Sequence, residues 1–323
     1  MNLMNKFMSN LAENIELYLS FKHSSGFIYR TGEYYLHDFD KYNLENGNYD
    51  YLNQRLVESW VQQKKKQTNS QYFGFMSYIR EFGRYLNSID DRSYVLNDNY
   101  KAVRYKANVY LFTNDELHRF FQQIEYYRKT ANNIRESAVM PAVFRFLYYF
   151  GVRCKEARVL ETKDVYLDRG YIDITGTKTH RDRRLFISEE SKAFFKKYDS
   201  LMNDIIPDRK YFFSDHINKY YPSSAVSSYF NKIWNLAGLR NISEVRPRAY
   251  DLRHHFACEN LLKWSSNNEN VYAKLPYLMT YMGHSSLEST YYYLHLIPDF
   301  FSRYNQLSVS SNDLIPETDG YEI

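Results

Sequence analysis

Apolar residues recur at helical spacing through most of this chain. In NSQYFGFMSYIREFGRYLNS, the residues Tyr72, Phe75, Met76, Ile79, Phe82 and Leu86 share one face, behind Asn69 or Ser70 as N-cap. NLAENIELYLSFKHSSG and YLNQRLVESWVQQKKK repeat the period more weakly, so residues 1–98 are expected to form an all-helical domain. The period fails in SIDDRSYVLNDNYKAVRYKANVYLF, which is polar and basic, and residues 99–110 read as a basic linker. FTNDELHRFFQQIEYY opens a second domain, with Thr113 or Asn114 capping a helix and Glu116 in its first turn. PAVFRFLYYFG continues as a helix, with Pro141 in its first turn or at a kink and Gly151 as its stop.

The spacing then switches in GYIDITGTKTHRDRRLFIS. Tyr171, Ile172 and Ile174 predict one strand, and Arg184, Leu185, Phe186 and Ile187 the next, with the polar TGTKTHRD as the hairpin turn between them. Helical spacing returns in EESKAFFKKYDSLM, SSAVSSYFNKIWNLAG, AYDLRHHFACENLLKW and VYAKLPYLMTYMG. The expected fold is mainly α with a small antiparallel β-sheet. A helical N-terminal domain precedes an α+β domain over residues 111–308, and residues 309–323 read as a flexible acidic tail.

Composition sharpens this. With 323 residues, 44% of them apolar, the chain can bury the cores of about two domains. Its two cysteines, Cys154 and Cys258, make no disulfide framework and fit a reducing, cytoplasmic setting. The N-terminus lacks the apolar run of a secretion signal. The longest apolar stretch, AVMPAVFRFLYYFGV, is broken by Arg145 and too short for a bilayer, so no membrane partner is expected. The net charge of +4 decides little, but its distribution matters. Basic residues cluster at Lys64 to Lys66, in KAVRYK, in RDRR and in RPR, interleaved with tyrosine, which favours a polyanionic partner.

Several chemistries are missing. There is no phosphate-cradling glycine loop, no HExxH, no CxxC and no paired-carboxylate cluster. His254 and His255 are adjacent on a helix, so their side chains diverge and cannot chelate one ion. Chemistry in this chain is expected to need no metal or cofactor and to rest on Arg, Lys, His and Tyr. Four segments supply them: GVRCKEARVL, GTKTHRDRR, RPRAYDLRHHFA and MGHSSLESTYYYLH. Singly, each has an ordinary explanation. Arg153 and Glu156 make an i, i+3 pair worth on the order of 0.3 kcal/mol at a surface. Lys178 could be a solubilising turn residue, Arg253 an exposed arginine, and the tyrosine triplet an aromatic core helix behind Ser286 as its cap.

As an ordered set, these segments resemble the catalytic boxes of the tyrosine recombinases, the phage-integrase family. The resemblance covers most of the second domain; TNDELHRFF is similar to its usual opening, and the helical first domain to its core-binding partner. The last box is the most specific. In that family a nucleophilic tyrosine follows the Gly-His histidine by nine residues, which selects Tyr293 rather than Tyr291 or Tyr292. Residue by residue, the resemblance implies Arg153 and Arg253 as the catalytic arginines, Lys178 as the hairpin lysine and His284 as the histidine of the last box. Glu156 falls at the supporting acidic position. Where the family commonly carries histidine, three residues before Arg253, this chain has Tyr250.

The implied reaction is metal- and ATP-independent cleavage and rejoining of DNA strands through a 3′-phosphotyrosyl intermediate. The two arginines would neutralise the phosphorane-like transition state. Lys178 would protonate the leaving 5′ oxygen, and Tyr250 or His284 would accept the nucleophile's proton. Lys101, Arg104, Lys106, Arg181, Arg183, Arg246 and Arg248 are the expected contacts to double-stranded DNA. A homotetramer in synapsis, with the segment after Tyr293 docked on a neighbour, and a role in a mobile element also follow from the resemblance. The alternatives are a nicking-closing enzyme of the type IB topoisomerase kind and a catalytically inactive DNA-binding regulator of the same fold.

Overall fold

The computed structural model describes residues 7–100, 108–130, 133–177, 181–240 and 245–296. The chain divides into two compact units, Met1–Ala107 and Asn108–Ile323. The basic residues Lys101, Arg104 and Lys106, the hairpin lysine Lys178 and the acidic tail lie outside the described residues.

The first unit holds four α-helices among its described residues: α1 (Ala12–Ser24), α2 (Arg30–Glu45), α3 (Gln54–Gln63) and α4 (Asn69–Asn87). The amphipathic spacing works as expected in α4, where Phe75, Met76, Ile79, Phe82 and Leu86 are buried against Leu36, Phe39 and Trp60. Its cap lies one residue earlier than expected. Thr68 Oγ1 accepts from the Gln71 N–H while the Gln71 side chain accepts from the Thr68 N–H, a reciprocal capping box.

The second unit begins with α5 (Asn114–Thr130) and α6 (Ile134–Phe150). Thr113 and Glu116 cap α5 in the same reciprocal way. Helix α6 starts earlier than the sequence pattern suggested. Asn133 caps it, so Pro141 lies in the helix interior and not in the first turn. Gly151 ends the helix with φ +55°, the left-handed conformation that glycine adopts at least cost. A β-carbon there would lie 2.3 Å from the Phe256 ring, so packing demands glycine as well.

A short helix α7 (Cys154–Val159) leads to the three-stranded antiparallel sheet β1 (Val165–Tyr166), β2 (Tyr171–Ile174) and β3 (Arg183–Phe186), in the order β1-β2-β3. Ile172 pairs with Leu185, so alternation turns Ile172, Ile174 and Leu185 into the core. Then follow α8 (Glu189–Ile205), a second small hairpin of β4 (Ser214–His216) and β5 (Lys219–Tyr220), and four helices: α9 (Ser223–Leu236), α10 (Asp251–Ser266), α11 (Val271–Met282) and α12 (Glu288–Leu294). The β1 strand and the β4-β5 hairpin, each two or three residues long, had no readable alternation. Helix α12 begins after Leu287, without the expected side-chain cap from Ser286.

Two apolar clusters organise this unit. The larger packs α5, α6, α8 and α9 around the sheet. The smaller gathers Ala257, Cys258, Leu261, Leu278, Met282 and Tyr293 from α10, α11 and α12. The candidate site forms where these three helices meet the C-terminal end of α6.

Candidate active site

The C-terminal turn of α11 leaves backbone carbonyls without helical donors. Three arginines from three different elements fill that role. Arg183 of β3 donates through Nε to the Tyr281 carbonyl. Arg253 of α10 donates through Nη2 to the Met282 carbonyl at 2.6 Å. Arg153, the residue before α7, donates through Nη2 to the Gly283 carbonyl at 2.7 Å. The negative end of a helix dipole favours cations at this place. Arg253 also donates through Nη1 to the Gly151 carbonyl at the end of α6, 2.7 Å away, so two helix C-termini hold one guanidinium.

Gly283 makes this convergence sterically possible. Its φ of +65° is left-handed, and a β-carbon there would lie 2.9 Å from Arg183 Nη1 and 3.5 Å from Arg153 Nη1.

Glu156 balances the cluster from α7. Its Oε1 accepts from Arg153 Nη1 at 2.7 Å and its Oε2 from Arg183 Nη2 at 2.8 Å, while the Arg153 N–H donates to Oε2 at 2.9 Å. Burial works to raise this carboxyl, but Arg183 and Arg153 outweigh it and hold Glu156 below the ordinary carboxylate value. Arg183 was expected to track phosphates. Instead its side chain is only 6% exposed and is spent on Glu156 and the Tyr281 carbonyl, which makes it a scaffold residue. Arg181 and Arg246 are exposed. Arg248 is exposed too, but its guanidinium pairs with buried Asp251 at 2.8 Å.

Arg253 is 1% exposed, so it is not the solvent-facing arginine that its place beside the Leu252 face allowed. Its Nε is buried and has no hydrogen-bond partner among the described residues. Tyr293 is 2% exposed and packs its ring between two histidines, His284 at 6.0 Å and His254 at 5.6 Å between centroids. Burial raises the Tyr293 phenol above its ordinary value, and the nearby Arg253 charge opposes that rise. Its neighbours differ as α12 requires: Tyr291 is exposed and Tyr292 meets the Tyr293 ring edge-on.

His284 Nδ1 lies 2.9 Å from the buried Thr290 hydroxyl. Burial, then the charges of Arg253, Arg153 and Arg183, push His284 down to about 3, so the imidazole is neutral near pH 7. Tyr250 is 39% exposed, and its ring stands edge-on to His254 at 5.0 Å. The expected divergence of the two adjacent histidines occurs. His255 is buried toward Tyr148 and Glu259, whereas His254 Nδ1 sits 3.2 Å from Tyr293 Oη. Sequence reading had set His254 aside as a non-chelator. Its position one residue after an arginine gave no signal of this contact, which depends on where α12 lands.

Five of the sequence-selected residues, Arg153, Glu156, Arg253, His284 and Tyr293, thus belong to one continuous cluster, with Tyr250 at its edge. Residues 111–299 match the phage integrase family, and the chain belongs to that family, the tyrosine site-specific recombinases. A relative from Sinorhizobium fredii, the inferred integrase/recombinase y4rB, is 25% identical over 299 residues, covering 90% of this chain and 95% of its own. Among solved structures, the XerH site-specific recombinase bound to a palindromic difH substrate in a post-cleavage complex superposes with a TM-score of 0.62 at 19% identity. That match covers 84% of this chain and 77% of XerH. A lambda integrase tetramer bound to a Holliday junction gives a TM-score of 0.57 at 14% identity, covering 87% of this chain and 76% of that one. Both likenesses are of fold.

Proposed function

We propose that this recombinase cuts and rejoins double-stranded DNA through a 3′-phosphotyrosyl bond to Tyr293, with no metal or ATP. One observation carries the reading: Arg253 and Arg153 are anchored on the consecutive carbonyls of Met282 and Gly283, immediately before His284, whose ring stacks with that of Tyr293. Two fixed guanidiniums match the charge that builds on a phosphorane-like transition state, and losing either should cost roughly 10²–10³ in rate. The covalent bond conserves the phosphodiester's energy, so a strand can be resealed to a new partner.

Glu156 holds Arg153 and Arg183 in place. Lys178 protonates the leaving 5′ oxygen; this role rests on its place in the GTKT motif. Arg181, Arg246 and Arg248 contact DNA phosphates, as do Lys101, Arg104 and Lys106. A homotetramer in synapsis is supported by the lambda integrase tetramer on a Holliday junction. A mobile element is the proposed biological setting and the cytoplasm the proposed compartment.

The test is a duplex nicked beside the cleavage position, so that the short product diffuses away. Wild-type protein should become covalently attached, with the adduct mapped to Tyr293, and Tyr293→Phe should not. An adduct that persists in Tyr293→Phe and vanishes in Tyr291→Phe or Tyr292→Phe overturns the assignment. A two-site exchange assay separates recombination from the nicking-closing activity of a topoisomerase.

A further inference from the structure

We propose that His254 is a catalytic residue that takes the phenolic proton of Tyr293 during strand cleavage and gives it back during religation. This rests on Tyr293 being the nucleophile. The geometry favours His254 over the two groups that the sequence suggested. His254 Nδ1 is 3.2 Å from Tyr293 Oη, and no other hydrogen-bond partner of that hydroxyl occurs among the described residues. His284 stacks nearly parallel to the Tyr293 ring, 14° between planes, and its Nδ1 is occupied by Thr290. Tyr250 meets His254 and not the nucleophile's hydroxyl.

The surroundings select the protonation state. Burial pushes His254 down to about 4. Asp251 opposes this, and Arg248 and Arg253 reinforce it. The rings of Tyr250 and Tyr293 also pack against it, and His284, which also faces Tyr293, is held neutral as well. A neutral imidazole facing a phenol that keeps its proton accepts that O–H at Nδ1, which leaves the imidazole proton on Nε2.

Such a weak base need not deprotonate Tyr293 before attack. As the Oη–phosphorus bond forms, the attacking oxygen loses its hold on the proton. The basicity of His254 then lies between that of the starting phenolate and that of the aryl phosphodiester, which is the condition for general-base catalysis. The Oη–H bond breaks as Nδ1–H forms, the Oη–P bond forms as the P–O5′ bond breaks, and the 5′ oxygen takes its proton from the general acid. Religation runs the same steps backwards, with His254 as the acid.

The experiment uses the full chain and a nicked duplex recovered by wild-type binding from a pool of randomised duplexes. Single-turnover adduct formation is followed across pH for wild type, His254→Ala, His254→Asn and Tyr293→Phe, each checked for folding by circular dichroism. His254→Ala should slow adduct formation roughly 10²–10⁴-fold near neutral pH. It should also acquire a rate that climbs with pH as hydroxide replaces the base. His254→Asn keeps an acceptor near Oη but cannot carry a proton, so it should remain slow. The same duplex with sulfur at the bridging 5′ position needs no leaving-group proton, and the His254→Ala defect should persist on it.

Full rate in His254→Asn, rescue of His254→Ala by the 5′-sulfur substrate, or a wild-type pH profile in His254→Ala overturns the proposal. An adduct in Tyr293→Phe, or a pool that yields no bound duplex, instead overturns the reading beneath it. Independently of DNA, the ¹⁵N signal of His254 should report an unprotonated Nδ1 that shifts in Tyr293→Phe. A protonated Nδ1 counts against the assignment.

Discussion

Arg153 and Arg253 donate to neighbouring carbonyls, those of Gly283 and Met282, although one precedes α7, the other lies in α10, and they are far apart in sequence. The end of α11 therefore works as a template. Its carbonyls, which lack helical donors, and its negative dipole end gather cations that would otherwise repel one another. Glu156 then offsets part of the charge that remains.

The template depends on Gly283. Gly283→Ala should cost about 1–2 kcal/mol for the left-handed backbone. The new methyl would also meet Arg183, which Glu156 and the Tyr281 carbonyl hold in place. Displacing the arginine cluster should slow adduct formation roughly 10–100-fold. Gly26→Ala is the matching control, since it imposes a comparable strain at φ +84° with nothing within 4 Å. It should lower the melting temperature and leave the adduct rate intact.

Glu156→Gln should destabilise the second unit by about 3 kcal/mol, because Arg183 is then left as a buried charge with no counter-ion. Thermal melting should report a drop of roughly 6–12 °C for a unit of this size. Adduct formation should also fall, measured well below the new melting point, since the amide keeps only one of the two oxygens that accept from Arg153 and carries no charge to hold its guanidinium.

Acid should weaken the fold before carboxylates protonate in bulk. In the unfolded chain, His254 and His284 take up protons near the ordinary value of 6.5; in the folded chain they do so only near 4 and 3. Between those values the unfolded state binds more protons, so stability must fall as pH drops below about 6.5. Glu156, held low in the fold, adds a loss of the same sign at still lower pH. Urea melts at a series of pH values should show this slope. A His284→Asn variant should flatten it.

A buried pair away from the site offers a contrast. Arg145 of α6 is 1% exposed, lies 2.8 Å from Glu125 and sits over the rings of Phe121 and Phe194. Glu125→Leu alone should cost about 3–5 kcal/mol by stranding the arginine. Adding Arg145→Met should recover most of that, because an apolar pair of similar volume suits the site. A double variant as unstable as the single one would mean that the ion pair itself stabilises α5 against α6.

Much of this architecture was legible in the chain. Helices such as α4, α8 and α9 announce themselves because a 3.6-residue repeat must place its apolar residues on one face. The main hairpin does so because a period of two cannot be mistaken for one of 3.6. The boxes also singled out most of the residues that the fold gathers in the candidate site, since Gly-His and a tyrosine nine residues on is a specific spacing. Strands of two or three residues stayed invisible, because so short a run has no measurable period. Pro141 misled the placement of the α6 start, since proline favours a first turn, yet here it lies inside the helix that Asn133 caps.

The sequence by itself determined the family and the longer helices and the main hairpin, and it singled out the arginines, the histidine and the tyrosine as candidates. Only the tertiary structure decided that Arg183 braces Glu156 instead of facing solvent, and that His254, dismissed as half of a useless pair, touches the Tyr293 hydroxyl. The physical reason is range. Periodicity and capping are local and can be read within a few residues, whereas a helix end becomes a cation template only once distant segments pack against it.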